Sequence, residues 1–275
     1  MFLAMPFAGL RSRLDRSPSY DFAMRWPIAI YSAFILSRDV VAFCQQLPQD
    51  PAVFGRFDAG VAMAALARTS QWMFVVLLAI QQLFRFRPIA KSENIMARVV
   101  ALSAVCVPPL FMLIQRAPPS LVANALAVAV SLAANVMSVV TVSFLGRSLS
   151  VMPEARRLVQ SGPYGVVRHP LYLCEMLGTV AVALQYRSPA AGGLVLIAIM
   201  LQVARARWEE AVLAGAFPDF AAYRSRTSFL IPRHPLRFLA SFAADFAARR
   251  RLAIVVASLL VVLALAAIVL PRLIA

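Results

Sequence analysis

The chain has 275 residues, of which 61% are hydrophobic, and its mean hydropathy is +0.78. Soluble domains contain roughly 45–50% apolar residues, so this composition excludes an ordinary soluble protein and predicts an integral membrane protein. A formal net charge of +15 would suggest nucleic-acid binding in a soluble protein. Here the basic residues lie between apolar runs, and we interpret them as loops that face anionic lipid headgroups.

The N-terminal half predicts a basic tail, residues 1–25, and then four membrane spans. These spans cover residues 26–46, 59–84, 97–114 and 121–145. Pro108-Pro109 should kink or break the third span, because each proline removes a backbone donor. Arg38 and Asp39 interrupt the first span, and we interpret them as a structural polar contact, with a lining role as the alternative.

Two shorter apolar runs follow, residues 171–186 and 190–204. Each has about 15 residues and would extend roughly 23 Å, which is short for an upright span. A tight hairpin whose helices continue into the headgroup region explains their length. Beyond it, an amphipathic pattern predicts an interfacial helix, and residues 252–270 predict a last span. The pattern consists of Leu236, Leu239, Phe242 and Phe246.

Basic loops alternate with neutral or acidic ones along the chain. The tail and residues 85–98, 147–169 and 205–251 are basic, and the positive-inside rule places them in the cytoplasm. We therefore predict an all-α, multi-pass transmembrane helical bundle of about seven spans, located in a bacterial inner membrane. Its predicted parts are N-terminal scaffold helices (1–146), a catalytic and cofactor-binding region (147–235), and an interfacial helix with the final span (236–275).

Cysteine and histidine usage argues against a metal centre. Cys44, Cys106 and Cys174 lie in apolar stretches without metal-ligand spacing, so we interpret them as packed thiols. His169 and His234 are the two histidines of the chain, which excludes a multi-histidine site. We predict no metal.

The densest polar residues lie at the two ends of the predicted hairpin, in LVQSGPYGVVRHPLY at 158–172 and RARWEEAVLAGAFPDFAAY at 205–223. Gly162-Pro163-Tyr164 predicts a turn, and Pro170 predicts the first residue of a helix. A helix N-terminus offers free N–H groups that suit a carboxylate or a phosphate. The alternative is an ordinary interfacial helix start with headgroup-binding arginines.

Glu209 and Glu210 follow the second apolar run in a chain with only 12 acidic residues. Arg205 lies four residues before Glu209 and can pair with it on one helix face. A solvated helix end is the alternative, but carboxylates away from bulk water need partners. Because both polar segments fall at the same end of the hairpin, we predict a cytoplasmic cofactor pocket there.

Residues 144–232 resemble the isoprenylcysteine carboxyl methyltransferase family. That family carries a GPYxxxRHPxY motif, a helical hairpin, an Arg-x-x-x-Glu-Glu element and an aromatic F-x-x-Y tail. This chain has GPYGVVRHPLY at 162–172, RARWEE at 205–210 and FPDFAAY at 217–223, with Pro218 where the family commonly has glycine. The resemblance implies S-adenosylmethionine as methyl donor. It also implies a lipophilic or membrane-embedded acceptor, foremost an isoprenylcysteine-type carboxylate.

The resemblance also implies the site residues. The catalytic set is Arg168, Arg205 and Glu209. The cofactor-binding set is Tyr164, Val167, His169, Pro170, Leu171, Tyr172, Glu209, Glu210 and Tyr223. The cofactor carboxylate suits the amides after His169, its ammonium or ribose hydroxyls suit a glutamate, and the tyrosines suit adenine or the sulfonium. Methyl transfer needs mainly in-line positioning, and a carboxylate acceptor requires no general base.

Other functions stay open on the sequence. One group is phospholipid or small-molecule N- or S-methyltransferases, and another is a membrane reductase that uses a reduced nicotinamide. A transporter or a membrane scaffold is the non-enzymatic alternative, and it would place polar residues at mid-membrane in inverted repeats. The expected partners are the lipophilic acceptor and membrane lipids, with no nucleic acid.

Overall fold

The computed structural model describes residues 22–23, 25–46, 59–115, 117 and 120–248, and most of these are helical. The predicted tail up to residue 21, the loop 47–58 and the last span 252–270 lie outside the described residues. The helices are α1 (Trp26–Gln46), α2 (Ala59–Leu83), α3 (Ile95–Leu110), α4 (Leu121–Leu145), α5 (Pro170–Ala183), α6 (Pro189–Ala216), α7 (Phe220–Arg226) and α8 (Pro235–Ala248). Two short strands, β1 (Ala90–Lys91) and β2 (Glu154–Ala155), pair antiparallel.

The first four helices agree closely with the predicted spans, because each is a continuous apolar segment between polar ends. The Ser120 hydroxyl caps α4 by accepting from the Ala123 N–H at 3.4 Å. The predicted break at Pro108-Pro109 is confirmed, since α3 ends at Leu110 and gives way to a 3₁₀ turn, Phe111–Leu113.

The predicted hairpin is also present. Ser188 caps α6, whose 28 residues extend about 42 Å. The helix therefore continues well past the apolar run that ends at residue 204, as predicted, and it carries the Arg205–Glu210 element on a rigid backbone. The tight connection between the two helices places Arg187 at a φ of 45°.

Three of the described helices contain a segment long and apolar enough to cross a membrane: Trp26–Phe43, Leu121–Ser148 and Pro189–Ala216. Three further apolar stretches are shorter: Gln71–Leu83, Ile95–Leu110 and Pro170–Ala183. The helical, membrane character is thus confirmed. The count of seven spans, their orientation and the division into three parts stay predictions.

The packing places α4 at the centre of the described bundle, where it contacts α2 on one side and α5 on the other. The hairpin partner α6 packs on both α3 and α5, and the β1–β2 pair lies against α6. A buried apolar cluster where α4, α5 and α6 meet includes Val142, Leu171, Tyr172 and Ala206. This cluster lies directly beneath the polar end of the hairpin.

The predicted interfacial helix is confirmed as a helix, but its apolar residues do not all lie on one exposed face. Phe242 packs together with Phe238 against Val140 and Val167, so this face is part of the protein core. Leu236 and Leu239 point away from the core and are 82% and 54% exposed. Phe242 is buried because α8 packs on the Gly162–Gly165 turn as well as on α4.

Asp39 makes the structural contact that we favoured for it. The Trp72 Nε1–H donates to Asp39 Oδ2 at 2.7 Å and so links α1 to α2. Trp72 is 3% exposed, and its ring meets Phe43 edge-on at 5.7 Å.

We expect Trp72→Phe to lower the free energy of unfolding in detergent by about 1 kcal/mol, because phenylalanine keeps the ring contact and loses the N–H donor. Thermal unfolding in one detergent measures the change. Trp26→Phe is the matched control, since Trp26 is 46% exposed. Equal shifts in both variants would contradict a structural role for the Asp39 contact.

Candidate active site

Two irregular segments run side by side at one end of the hairpin and form the frame of the site. Val167 and Ser228 make a parallel β-bridge. The Arg168 N–H donates to the Ser228 carbonyl at 2.8 Å, and the His169 N–H donates to the Phe229 carbonyl at 3.2 Å. Backbone hydrogen bonds alone therefore hold the Arg-His-Pro motif against the segment that follows α7.

The turn before this motif is built around Gly162, whose φ of 61° favours glycine. It forms a short 3₁₀ helix, Gly162–Gly165, which confirms the predicted turn. Within it the Tyr164 carbonyl accepts from the Tyr223 hydroxyl at 2.8 Å. Burial raises the pKa of the Tyr164 and Tyr223 hydroxyls above the ordinary value, so both stay neutral, and Tyr223 donates its proton to this contact.

Glu210 links the two polar segments of the sequence. Its Oε1 accepts from Arg168 Nε at 2.6 Å and lies 3.3 Å from His169 Nε2. His169 directly precedes Pro170, the first residue of α5, whereas Glu210 lies near the end of α6. The structure thus brings together the two clusters that the sequence separates by about forty residues.

Arg168 also holds the adjacent loop. Its Nη1 donates to the carbonyls of Thr227 and Arg224, at 2.5 and 3.0 Å. Its guanidinium carbon lies 5.7 Å from the centre of the Phe229 ring. Arg168 therefore orients Glu210 and closes the end of α7 onto the site.

Aromatic rings form the inner wall. The His169 and Tyr172 rings stack at 5.3 Å with an interplanar angle of 9°. The edge of Phe229 meets His169, also at 5.3 Å. The Tyr172 hydroxyl donates to Glu209 Oε2 at 2.5 Å. Both glutamates of the pair are therefore held by side chains of the Arg-His-Pro-x-Tyr motif.

Arg205 does not pair with Glu209 as the helix spacing suggested. Its side chain turns towards α5, where the guanidinium carbon lies 4.5 Å from the centre of the Tyr172 ring. Its Nη1 is 3.9 Å from Glu175 Oε2, and its Nη2 donates to the Ser150 carbonyl at 3.4 Å. Burial against the neighbouring helix explains the difference, since Arg205 is only 5% exposed.

Glu175 and Gln202 are polar residues of this region that the sequence reasoning missed. Gln202 Nε2 donates to Glu175 Oε2 at 2.6 Å across the hairpin. Glu175 could have been noticed as an acidic residue inside an apolar run. A carboxylate in a membrane helix requires a polar partner, so its presence indicates one on a neighbouring helix.

Val167, Pro170 and Leu171 complete the set of predicted cofactor contacts. Their side chains are buried in the protein. Val167 packs against α8 and Leu171 packs in the cluster between α4, α5 and α6. Their role as cofactor contacts stays a prediction.

The remaining hydrogen-bonding capacity fits S-adenosylmethionine. Within the part of the chain that the structure describes, Glu209 Oε1 has no hydrogen-bond partner, and Arg224 Nε approaches Glu210 Oε2 only to 3.8 Å. These oxygens suit an ammonium group or ribose hydroxyls. The first-turn amides of α5, at Leu171 and Tyr172, have no intrahelical carbonyl to bind and suit a carboxylate.

A cavity of about 460 Å³ is lined by Arg224 but not by Glu210 itself. Its volume is within the range of small-molecule sites, roughly 300–1,000 Å³. Arg224 belongs to its wall and connects it to the Glu210 carboxylate. The other lining residues include Phe217, Pro218, Phe220, Ser225 and Arg233.

Comparison with known proteins finds similarity over part of the chain. Residues 120–219 match the model of the phospholipid methyltransferase family, a segment that contains α4, the Arg-His-Pro motif and the whole hairpin. The match supports a membrane methyltransferase. The phospholipid methyltransferases are close relatives of the family that the motifs resemble, and the isoprenylcysteine assignment itself stays a prediction.

Two curated proteins are similar in sequence to part of this chain. The cobalt-zinc-cadmium resistance protein CzcN of Cupriavidus metallidurans is 43% identical over 77 residues, which are 28% of this chain and 36% of that protein. The nickel-cobalt-cadmium resistance protein NccN of Alcaligenes xylosoxydans xylosoxydans is 35% identical over 81 residues, 29% of this chain and 38% of that protein. The chain therefore covers little more than a third of either relative.

We expect Arg168→Lys to loosen the loop after α7, because lysine cannot bind Glu210 and the two loop carbonyls at once. Hydrogen exchange at the Ser228 and His169 amides should become several-fold faster. Arg207→Ala is the matched control, since Arg207 is an exposed arginine on α6. Unchanged exchange in the lysine variant would contradict the anchoring role.

Proposed function

We propose that this protein transfers a methyl group from S-adenosylmethionine to a lipophilic acceptor in the membrane. The observation that carries the proposal is the Glu210 carboxylate, which Arg168 and His169 share where the two ends of an apolar helical hairpin meet. The family match supports it, because residues 120–219 enclose that junction.

The residues of the site have distinct roles in this proposal. Glu209 and Glu210 bind the ammonium group or the ribose hydroxyls of the methyl donor, while the first-turn amides of α5 bind its carboxylate. Tyr172 and His169 supply a stacked aromatic surface. When bound, S-adenosylmethionine supplies a methyl carbon already activated by the sulfonium.

Catalysis in this site is mainly positioning. An in-line displacement gains most from holding the reacting atoms about 3–3.5 Å apart. Arg168 and Arg205 are positioning residues here, since Arg168 orients Glu210 and Arg205 lies over the Tyr172 ring. Glu209, held by the Tyr172 hydroxyl, is the residue of the predicted catalytic set that can contact the donor.

The acceptor reaches the site from the lipid in this proposal. The hairpin presents exposed apolar side chains along its length, among them Leu177, Leu196 and Met200. We place the polar end of the hairpin at the cytoplasmic surface of a bacterial inner membrane, on the strength of the basic segments next to it. A lipid-anchored acceptor would then slide along the hairpin to the donor.

Two acceptor classes are supported by separate observations. The motif resemblance favours an isoprenylcysteine-type carboxylate. The match over residues 120–219 favours a phospholipid.

We expect Glu210→Gln and His169→Ala to weaken S-adenosylmethionine binding at least tenfold, because each removes part of the charged network that holds the donor. Calorimetry on monodisperse detergent-purified protein measures the affinity, with reduced nicotinamide cofactor as a second ligand. Arg207→Ala should bind like the unmodified protein. Donor affinity unaltered in both site variants, or preferential binding of the nicotinamide, would refute the proposal.

Methyl transfer itself should appear in the lipid fraction. Membranes that contain the protein, supplied with S-adenosylmethionine carrying a labelled methyl group, should yield an apolar extract with a species heavier by one methylene. Mass spectrometry against membranes containing His169→Ala detects it. Label that stays in the aqueous phase in both samples would argue for a non-enzymatic role.

A further inference from the structure

An exposed apolar surface lies next to the candidate active site, on the start of α8 and the segment that leads into it. Leu236 and Leu239 are 82% and 54% exposed and, three residues apart on one helix, lie on the same face. Ile231, just before the helix, is 80% exposed. Phe238 points the other way and is 4% exposed. We call residues 231–239 the docking surface, because its inner side is covered by the protein and its outer side is open.

The docking surface is also basic. Arg233 and Arg237 are both exposed, and residues 231–239 contain no aspartate or glutamate. Arginine binds phosphate oxygens in a bidentate manner, whereas exposed leucine and isoleucine gain free energy by leaving water. The partner with matching chemistry has a layer of phosphates above an apolar layer. An anionic lipid surface has this arrangement.

The packing of α8 brings the docking surface to the height of the lipid headgroups. Phe238 and Phe242 pack against Val140 of α4, a helix long enough to cross a membrane. Val140 lies 19 residues after Leu121, the first residue of α4, or about 29 Å along the helix axis. The hydrocarbon core of a bilayer is about 30 Å thick. The contact with α8 therefore lies where the apolar layer ends.

The same segment is joined to the Arg-His-Pro motif on its inner side. The Arg233 N–H donates to Ser228 Oγ at 3.2 Å, and the Ser228 carbonyl accepts from the Arg168 N–H at 2.8 Å. Phe238 packs against Val167, the residue before Arg168. Holding residues 231–239 in place from outside would therefore restrict the backbone that presents Arg168.

We propose that residues 231–239 dock on anionic phospholipid headgroups, and that this docking orders the active site so that donor binding depends on membrane charge. Arg233 and Arg237 bind the phosphates, while Ile231, Leu236 and Leu239 insert among the upper parts of the acyl chains. The lipid is a ligand of the surface and not the methyl acceptor. Docking is independent of the reaction, whereas its effect on donor affinity rests on the proposed function.

Hydrogen exchange on the full chain in lipid nanodiscs tests the docking. We expect exchange in residues 231–239 and at the Arg168 amide to be at least threefold slower when phosphatidylglycerol replaces part of the phosphatidylcholine. Salt at 0.5 M should reduce the difference, because it screens exposed charges. Equal exchange in both lipids would overturn the proposal, since the surface would then be open or covered by protein.

Two pairs of substitutions separate the charged from the apolar contribution. Arg233→Gln with Arg237→Gln should remove the difference between the two lipids, and Leu236→Ser with Leu239→Ser should speed exchange in the anionic nanodiscs. All four residues are exposed, so the variants should fold. Arg207→Gln is the matched control, because Arg207 is an exposed arginine on α6.

The control decides whether the docking surface or the overall charge responds to the lipid. Arg207→Gln should keep the lipid difference of the unmodified protein. A loss equal to that of the arginine pair would assign the effect to overall positive charge and overturn the proposal. A leucine pair that exchanges like the unmodified protein would also overturn it, because nothing would then insert into the membrane.

Calorimetry with S-adenosylmethionine in the same nanodiscs tests the coupling. Anionic lipid should raise the donor affinity severalfold in the unmodified protein and in Arg207→Gln, and less in the Arg233→Gln, Arg237→Gln variant. This comparison removes the attraction of the cationic donor to the lipid itself. Equal lipid dependence in all three proteins would overturn the coupling. A protein that binds no donor in either lipid refutes the proposed function, while hydrogen exchange still decides the docking.

Discussion

The site depends on one shared carboxylate. Glu210 Oε1 receives Arg168 Nε and lies beside His169 Nε2, and through these contacts the end of α6 is joined to the start of α5. Charge-assisted hydrogen bonds of this kind are strong when they are withdrawn from water. Arg168 extends the connection to the carbonyls after α7, so three separate parts of the chain meet at one guanidinium group.

The apolar part of the molecule makes this arrangement possible. The cluster between α4, α5 and α6 sets the separation of the two hairpin helices, and Tyr172 belongs both to that cluster and to the polar site. Its ring packs in the core while its hydroxyl holds Glu209. The boundary between the apolar core and the polar site therefore runs through the Tyr172 side chain.

Sequence patterns predicted the elements of this fold better than the contacts between them. The bounds of α1 and α4 follow from apolar segments between polar ends, and the start of α5 follows from Pro170. The pairing of Glu175 with Gln202 depends on how two helices are rotated about their axes, which no local spacing encodes. The Val167–Ser228 bridge joins irregular segments and has no periodic signal at all. The exposed Leu236 and Leu239 show the same limit, because an amphipathic pattern does not tell which neighbour will cover it.

The position of α8 has a consequence for the folding of the site. Phe238 and Phe242 pack against Val167, so the helix beyond the polar motifs supports the backbone that presents Arg168 and His169. Removing α8 would leave those motifs intact in sequence but without their packing partner. A folded fragment cut after the hairpin would consequently be hard to obtain, and a reporter domain inserted between the hairpin and α8 would disturb the same packing.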